Sequence, residues 1–170
     1  MAQRDLTSAL GRLLSDRRVR ELHRRDANTA ARELDLRASD LAAFAALDPA
    51  GLDEQAAALL QKRFYEIAHL LPQTIARLGE NAYARFLEYA ESTWPEGHRR
   101  HWLDALGFGR HLRLARAPEL CRAELQRVAF IAEERKLSIA LVREGHALPA
   151  LQILYRRKGE PKRLGIKLGP

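Results

Sequence analysis

The densest group of side chains able to do chemistry is His98-Arg99-Arg100-His101, with Asp104 and His111 further along. On a helix, His98 and His101 share a face and Asp104 follows one three-residue step later. Two imidazoles and a carboxylate suit zinc or iron. The alternative is a helix N-terminus with polar decoration. It is preferred, because nothing nearby supplies the second layer of hydrogen bonds that metal ligands need. A metal-dependent enzyme centred on His98, His101 and Asp104 is the weaker rival. His23, His69 and His146 stand alone and read as structural or exposed. There is no phosphate loop, no GxGxxG, no HExxH, and no serine in a nucleophile-elbow context. Cys121 is the single cysteine, which rules out an intramolecular disulfide and a multi-cysteine zinc site. It reads as a small buried side chain. Trp94-Pro95 and Trp102 either anchor an interface or fill the core. Core filling is preferred, with Trp94, at a chain break, the better placed for exposure. The expectation is a non-catalytic binding protein that uses no cofactor.

The remaining chemistry is electrostatic. The chain of 170 residues carries a net charge of +7. From residue 118 onward there are 11 Lys and Arg against 6 Asp and Glu, whereas the first 117 residues have 18 against 16. A localised basic excess suits nucleic acid, an acidic peptide or an acidic protein surface, or equally serves solubility alone. Nucleic-acid recognition also calls for stacking aromatics or a base-reading helix. The C-terminal strands offer one aromatic, Tyr155, and no RNP-like motif, so nucleic acid is the second choice. A hydrophobic fraction of 46% with 30% charged residues is that of a globular chain of about one domain. No apolar run approaches the roughly 18 residues of a membrane helix, and residues 1–10 lack the apolar region of a signal peptide. The expected location is the cytoplasm, with no membrane partner.

The elements that must position these groups divide into helices and a terminal sheet. Leu6, Leu10 and Leu13 mark a first helix, Asp16 opens a second, Asn28 is the expected N-cap of a third, and Ser39 or Asp40 that of a fourth. From residue 48 to 71, Leu52, Leu59, Leu60, Phe64, Ile67 and Leu71 form a stripe on one long helix that starts at Pro49 and stops before Pro72. A short helix from Pro72 is closed by Gly79. Further helices carry Tyr83, Phe86 and Leu87, then Trp102, Leu106 and Leu112, with Gly107 and Gly109 placed for close helix packing or a kink. Pro118 is expected to open the last helix, through Leu125, Val128 and Ile131. Pro49, Pro72, Pro95 and Pro118 are evenly spaced, but the segments between them are dissimilar, so no repeat is read.

After Leu137 the period becomes two: Leu137, Ile139 and Leu141, then Leu151, Ile153 and Tyr155, then Leu164, Ile166 and Leu168, joined by turns at Glu144-Gly145-His146 and Lys158-Gly159-Glu160-Pro161. This predicts an antiparallel meander. Its apolar face is expected on the helices and Arg143, Arg156, Arg163 and Lys167 in solvent, with an open edge able to accept another strand. The fold class is mainly α (α+β): a helical bundle, N-terminal and central, followed by a C-terminal three-stranded antiparallel β-meander. It reads as one domain over 1–170, comprising a short-helix cluster (1–47), a helical core (48–134) and the basic meander (135–170).

The string Lys62-Arg63, Glu66, Pro72, Gly79, Tyr89-Ala90 and Trp94-Pro95-Glu96-Gly97, within residues 59–112, resembles a helical accessory domain. That domain is fused to, or encoded beside, multinuclear non-haem iron-dependent oxidative enzymes of modified-peptide biosynthesis. Residues 1–47 also look similar to small helical domains of the extradiol dioxygenase small-subunit type. The first resemblance implies a partner protein that binds the leader of a ribosomal precursor peptide, by strand addition, and delivers it to the iron-dependent enzyme. The signature falls on Lys62, Arg63, Glu66, Pro72, Gly79, Tyr89, Trp94, Pro95 and Gly97. On this reading the peptide meets Arg143, Leu151, Ile153, Tyr155, Arg156, Arg163, Ile166 and Lys167. Lys62 or Arg63 is placed to pair with Glu66 along one helix, and Pro72 and Gly79 are expected to be architectural.

Overall fold

The computed structural model describes residues 3–91, 93–142, 149–157 and 160–167. Helices α1 (Leu6–Ser15), α2 (Arg17–Arg25), α3 (Ala27–Glu33), α4 (Leu41–Ala45), α5 (Pro49–Leu70), α6 (Pro72–Leu78), α7 (Ala82–Ala90), α8 (Arg100–Leu114) and α9 (Arg122–Ala132) precede strands β1 (Leu137–Val142), β2 (Ala150–Arg157) and β3 (Glu160–Lys167). The fold is mainly α with a small antiparallel sheet, as the change of period requires. No helix among the described residues is long and apolar enough to cross a membrane. The chain forms two compact units, 1–62 and 63–170, with the boundary inside α5.

The first unit is built by caps on short helices. Asp5, Asp16 and Asp26 accept from the backbone N–H groups of Ser8, of Arg18 and Val19, and of Thr29, starting α1, α2 and α3. Asp26, not Asn28, therefore caps α3. Its bonds to Thr29 hold its carboxyl below its ordinary value, so this support is lost as the pH falls through that lowered value. A 3₁₀ turn, Ala38–Asp40, leads into α4. Asp40 does not cap α4 with its side chain but accepts from Leu6 N–H at 3.0 Å, tying the start of α1 to this turn. Arg20 donates to the carbonyls of Leu13 and Leu14 at the end of α1. Ala9, Leu13, Val19, Ala30, Leu34 and Phe44 lie in the core these helices enclose.

In the second unit, α6 begins at Pro72, where the missing N–H costs no helical bond. Its N-terminus is capped from a distance. The buried Glu124 carboxylate accepts from Gln73 N–H, Thr74 N–H and Thr74 Oγ1 at 2.8–2.9 Å. Gly79 ends α6 at φ +55, a backbone region that favours glycine. Two other glycines mark close approaches. A Cβ on Gly107 would stand 2.3 Å from Tyr89 Oη, and one on Gly109 would stand 2.5 Å from Leu125 Cδ1, so α8 presses on α7 and α9. Pro118 does not open the last helix. It lies in a turn, and α9 starts at Arg122.

The sheet order is β1-β2-β3, antiparallel throughout. Its orientation overturns the expectation. The face toward α9 carries Ser138, Ala140, Val142, Gln152, Leu154 and Arg156, while Leu137, Ile139 and Leu141 are 57, 57 and 62% exposed. Beside the buried Val142 and Leu154, this face carries a polar bridge: Gln152 donates to Ala123 O and Gln126 Oε1, and Gln126 donates to Ser138 Oγ. Arg156 is not on the solvent face either. Its guanidinium lies 5.3 Å from the Phe130 ring centre and donates to Arg135 O. The expected second turn is shorter than read, since Glu160 and Pro161 already pair with Arg157 and Arg156. Arg143, the first turn and Leu168 lie outside the described residues, as does the side chain of Lys167.

Candidate functional site

The open edge of the sheet is the site with the clearest binding geometry. Arg156 N–H donates to Lys136 O directly opposite, so in this antiparallel pair the even-numbered residues of β1 bond to β2. Leu137, Ile139 and Leu141 therefore turn their N–H and C=O groups to the unpaired side. A groove of about 770 Å³ runs along this edge between β1 and the helices. Leu106, Arg110 and Arg113 of α8 form one wall, and Arg122, Gln126 and Ala129 of α9 another, with Arg135 at one end. Four arginines thus line it. Glu133 pairs with both Arg110 and Arg135. Arg113 and Arg122 are exposed and have no carboxylate partner among the described residues. The outer edge of β3 is less suited to pairing. The same alternation points Pro161 outward there, and proline has no N–H to offer.

On the sheet's solvent face the register builds three rows: Leu137-Tyr155-Lys162, Ile139-Ile153-Leu164 and Leu141-Leu151-Ile166. The expected peptide-site residues Leu151, Ile153, Tyr155 and Ile166 share this apolar grid. Arg163 is exposed on the opposite face of the overhanging β3, and Arg156 is tucked against Phe130. The predicted set is thus split between two faces.

The signature residues come together elsewhere, around a buried ion pair. Arg63 Nε and Nη2 donate to the two oxygens of Asp104 at 2.8 Å each, and Nη2 also donates to Thr93 O at 3.0 Å. The guanidinium lies over Trp94, 4.7 Å from the ring centre, and beside Phe86. Tyr89 Oη donates to Asp104 Oδ1 at 3.0 Å. Arg63 thus joins α5, α7, α8 and the break after α7. Neither Lys62 nor Arg63 is ion-paired with Glu66 among the described residues. The spacing along α5 pointed to that pairing, and the stronger one, with a desolvated carboxylate, lies across the bundle. Gly97 adopts φ +88 at the break, beside the half-buried Trp94 and Pro95.

Residues 40–114 match the family model described as SCO6045-like, C-terminal domain. No curated protein and no solved structure matches the chain. The matched stretch ends with α8, so it holds the Arg63–Asp104 pair and every signature residue, and stops before α9 and the sheet.

Within the matched stretch, His98 lies ahead of α8 and not on a shared helical face with His101, and Asp104 is turned to Arg63 and Tyr89. No group of three His, Cys, Asp or Glu able to hold a metal ion forms among the described residues. Sequence reasoning missed Arg110, Arg113, Arg122 and Arg135. Arg110 and Arg113 are one helical step apart, a visible signal, but nothing local says that α9 and β1 face them. Burial and the Asp104 charge push the Tyr89 hydroxyl well above its usual pKa of about 10. The folded state then holds this proton more tightly than the unfolded one. The Tyr89 contribution to stability is constant below pH 10 and falls as the pH rises beyond it. Tyr89→Phe is expected to remove one proton's worth of that alkaline slope, as read from urea midpoints at pH 9 to 11.

Proposed function

We propose that this chain is a non-catalytic partner protein that captures the leader of a ribosomal precursor peptide as an added strand on β1 and delivers it to an iron-dependent oxidative enzyme. The observation that carries the reading is the outer edge of β1, unpaired among the described residues, whose outward N–H and C=O groups line a walled groove. Main-chain hydrogen bonds to such an edge give affinity for an extended chain whatever its sequence, and the walls select side chains. The delivery half rests on the resemblance of residues 59–112. Arg63, Tyr89 and Trp94 are engaged in holding the helices together, which suits a scaffold role for that string.

The test mixes the full chain with a multinuclear non-haem iron-dependent oxidative enzyme and a precursor peptide, sought among the products of neighbouring genes. A complex at micromolar concentration, with slowed amide exchange at Ile139 and Leu141 when peptide is added, is expected. Absence of association with either component overturns the proposal. Binding of duplex or single-stranded DNA or RNA that weakens steeply with salt would favour the nucleic-acid reading instead.

A further inference from the structure

We infer that the strand captured by β1 alternates acidic and apolar side chains, with the acidic ones turned into the arginine groove. The inference rests on the strand-capture reading and adds the chemistry of the ligand. A chain paired to β1 must alternate its side chains between the two faces of the sheet, because successive residues of a strand point to opposite sides. On the helix side its neighbours on β1 are Ser138, Ala140 and Val142, and Ala129 lies across the groove. These small side chains leave room for a longer one from the ligand. What lies beyond them is cationic: Arg110 and Arg113 on α8, Arg122 at the start of α9, and Arg135.

Glu133 already serves Arg110 and Arg135, so among the described residues the charges left to answer are those of Arg113 and Arg122. A glutamate or aspartate entering from the added strand gives them a carboxylate, for which the guanidinium fork is well shaped. On the other side of the sheet the ligand's side chains would stand beside Leu137, Ile139 and Leu141, all exposed, and would extend the apolar grid by one column. Apolar residues at those positions gain neighbours, whereas charged ones would be set against an uncharged surface. The register therefore selects a two-residue period, and net negative charge alone does not satisfy it.

Three synthetic octapeptides test this against the full chain: alternating Glu and Val, the block isomer of four Glu then four Val, and alternating Lys and Val. The first should bind at least tenfold tighter than the other two and slow amide exchange at Ile139 and Leu141. In the double variant Arg113→Glu/Arg122→Glu, the preference should reverse toward the Lys peptide. Both positions are exposed, and an unchanged thermal midpoint would show that the variant folds. Equal binding of the alternating and block Glu peptides would overturn the alternation. Equal protection of β1 by the Glu and Lys peptides would overturn the acidic preference while leaving strand capture standing. Protection of β1 by none of the three, nor by the precursor peptide, would remove strand capture itself, and the inference with it.

Discussion

Asp104→Ala should lower the unfolding free energy by about 3–5 kcal/mol, because it leaves a buried guanidinium without its carboxylate. The side chains of Arg63 and Asp104 are only 12 and 6% exposed, so water does little to replace the lost partner. The variant also strands the Tyr89 hydroxyl, which donates to the same carboxylate. Against a typical total of roughly 5–15 kcal/mol this is a large fraction. Arg63→Lys should not preserve stability. A single ammonium cannot match two carboxylate oxygens and the Thr93 carbonyl with the geometry of a planar fork. Replacing both partners, as Arg63→Met with Asp104→Leu, should recover part of the loss, since it removes the unpaired charge while leaving Thr93 O and Tyr89 Oη to find new partners. Urea unfolding followed by tryptophan fluorescence reads this directly, because Trp94 and Trp102 both belong to the unit 63–170. A loss below about 1 kcal/mol, as for an exposed pair, would show that the site is not desolvated.

That pair also marks how far the sequence can be read. Periodicity placed α5, the Pro72 start and the Gly79 stop of α6, and the three strands, because each depends on neighbours within a few residues. Asp16 was legible as a cap for the same reason. Asp40 was misread, since its side chain answers an N–H that comes from the start of α1, 34 residues away. Glu124 capping α6 and Arg63 meeting Asp104 are likewise decided by tertiary packing, which local propensity does not encode. The sheet failed in a more instructive way. Alternation identified its two faces correctly, and hydropathy then assigned the wrong one to the helices. Besides Val142 and Leu154, the inner face is specified by hydrogen bonds of Gln152, Gln126 and Ser138 and by the small Ala140 beside Cys121 and Ala123, so most of the larger apolar side chains are left outside. A contiguous exposed apolar surface of this kind is a feature of interaction sites. The candidate site was legible only as an open edge with basic surroundings. The arginines that shape it lie on α8, at the start of α9 and, as Arg135, just after α9, segments that sequence alone does not bring together.

Ile139→Pro should abolish capture of an extended peptide while leaving the protein folded, and Ala140→Pro should do the opposite kind of damage. The distinction follows from the alternation along β1. Ile139 directs its N–H to the open side, so a proline ring there removes a donor that no residue of β2 uses. The preceding Ser138 already has the extended backbone that a proline requires of its neighbour. The ring also projects where an incoming strand would sit, so one hydrogen bond and the close approach are lost together. An affinity drop of at least tenfold corresponds to about 1.4 kcal/mol, and a lost bond plus a steric block should exceed it. Ala140 pairs with Gln152 through the inner ladder, so Ala140→Pro deletes a bond within the sheet and disturbs the packing on α9. Thermal unfolding and titration with the alternating Glu–Val octapeptide separate the two effects. Ile139→Pro should keep its midpoint within a few degrees of the parent and lose binding, whereas Ala140→Pro should lose several degrees. Undiminished binding by a folded Ile139→Pro variant would mean that the peptide does not pair with β1, and would direct attention to the apolar grid instead.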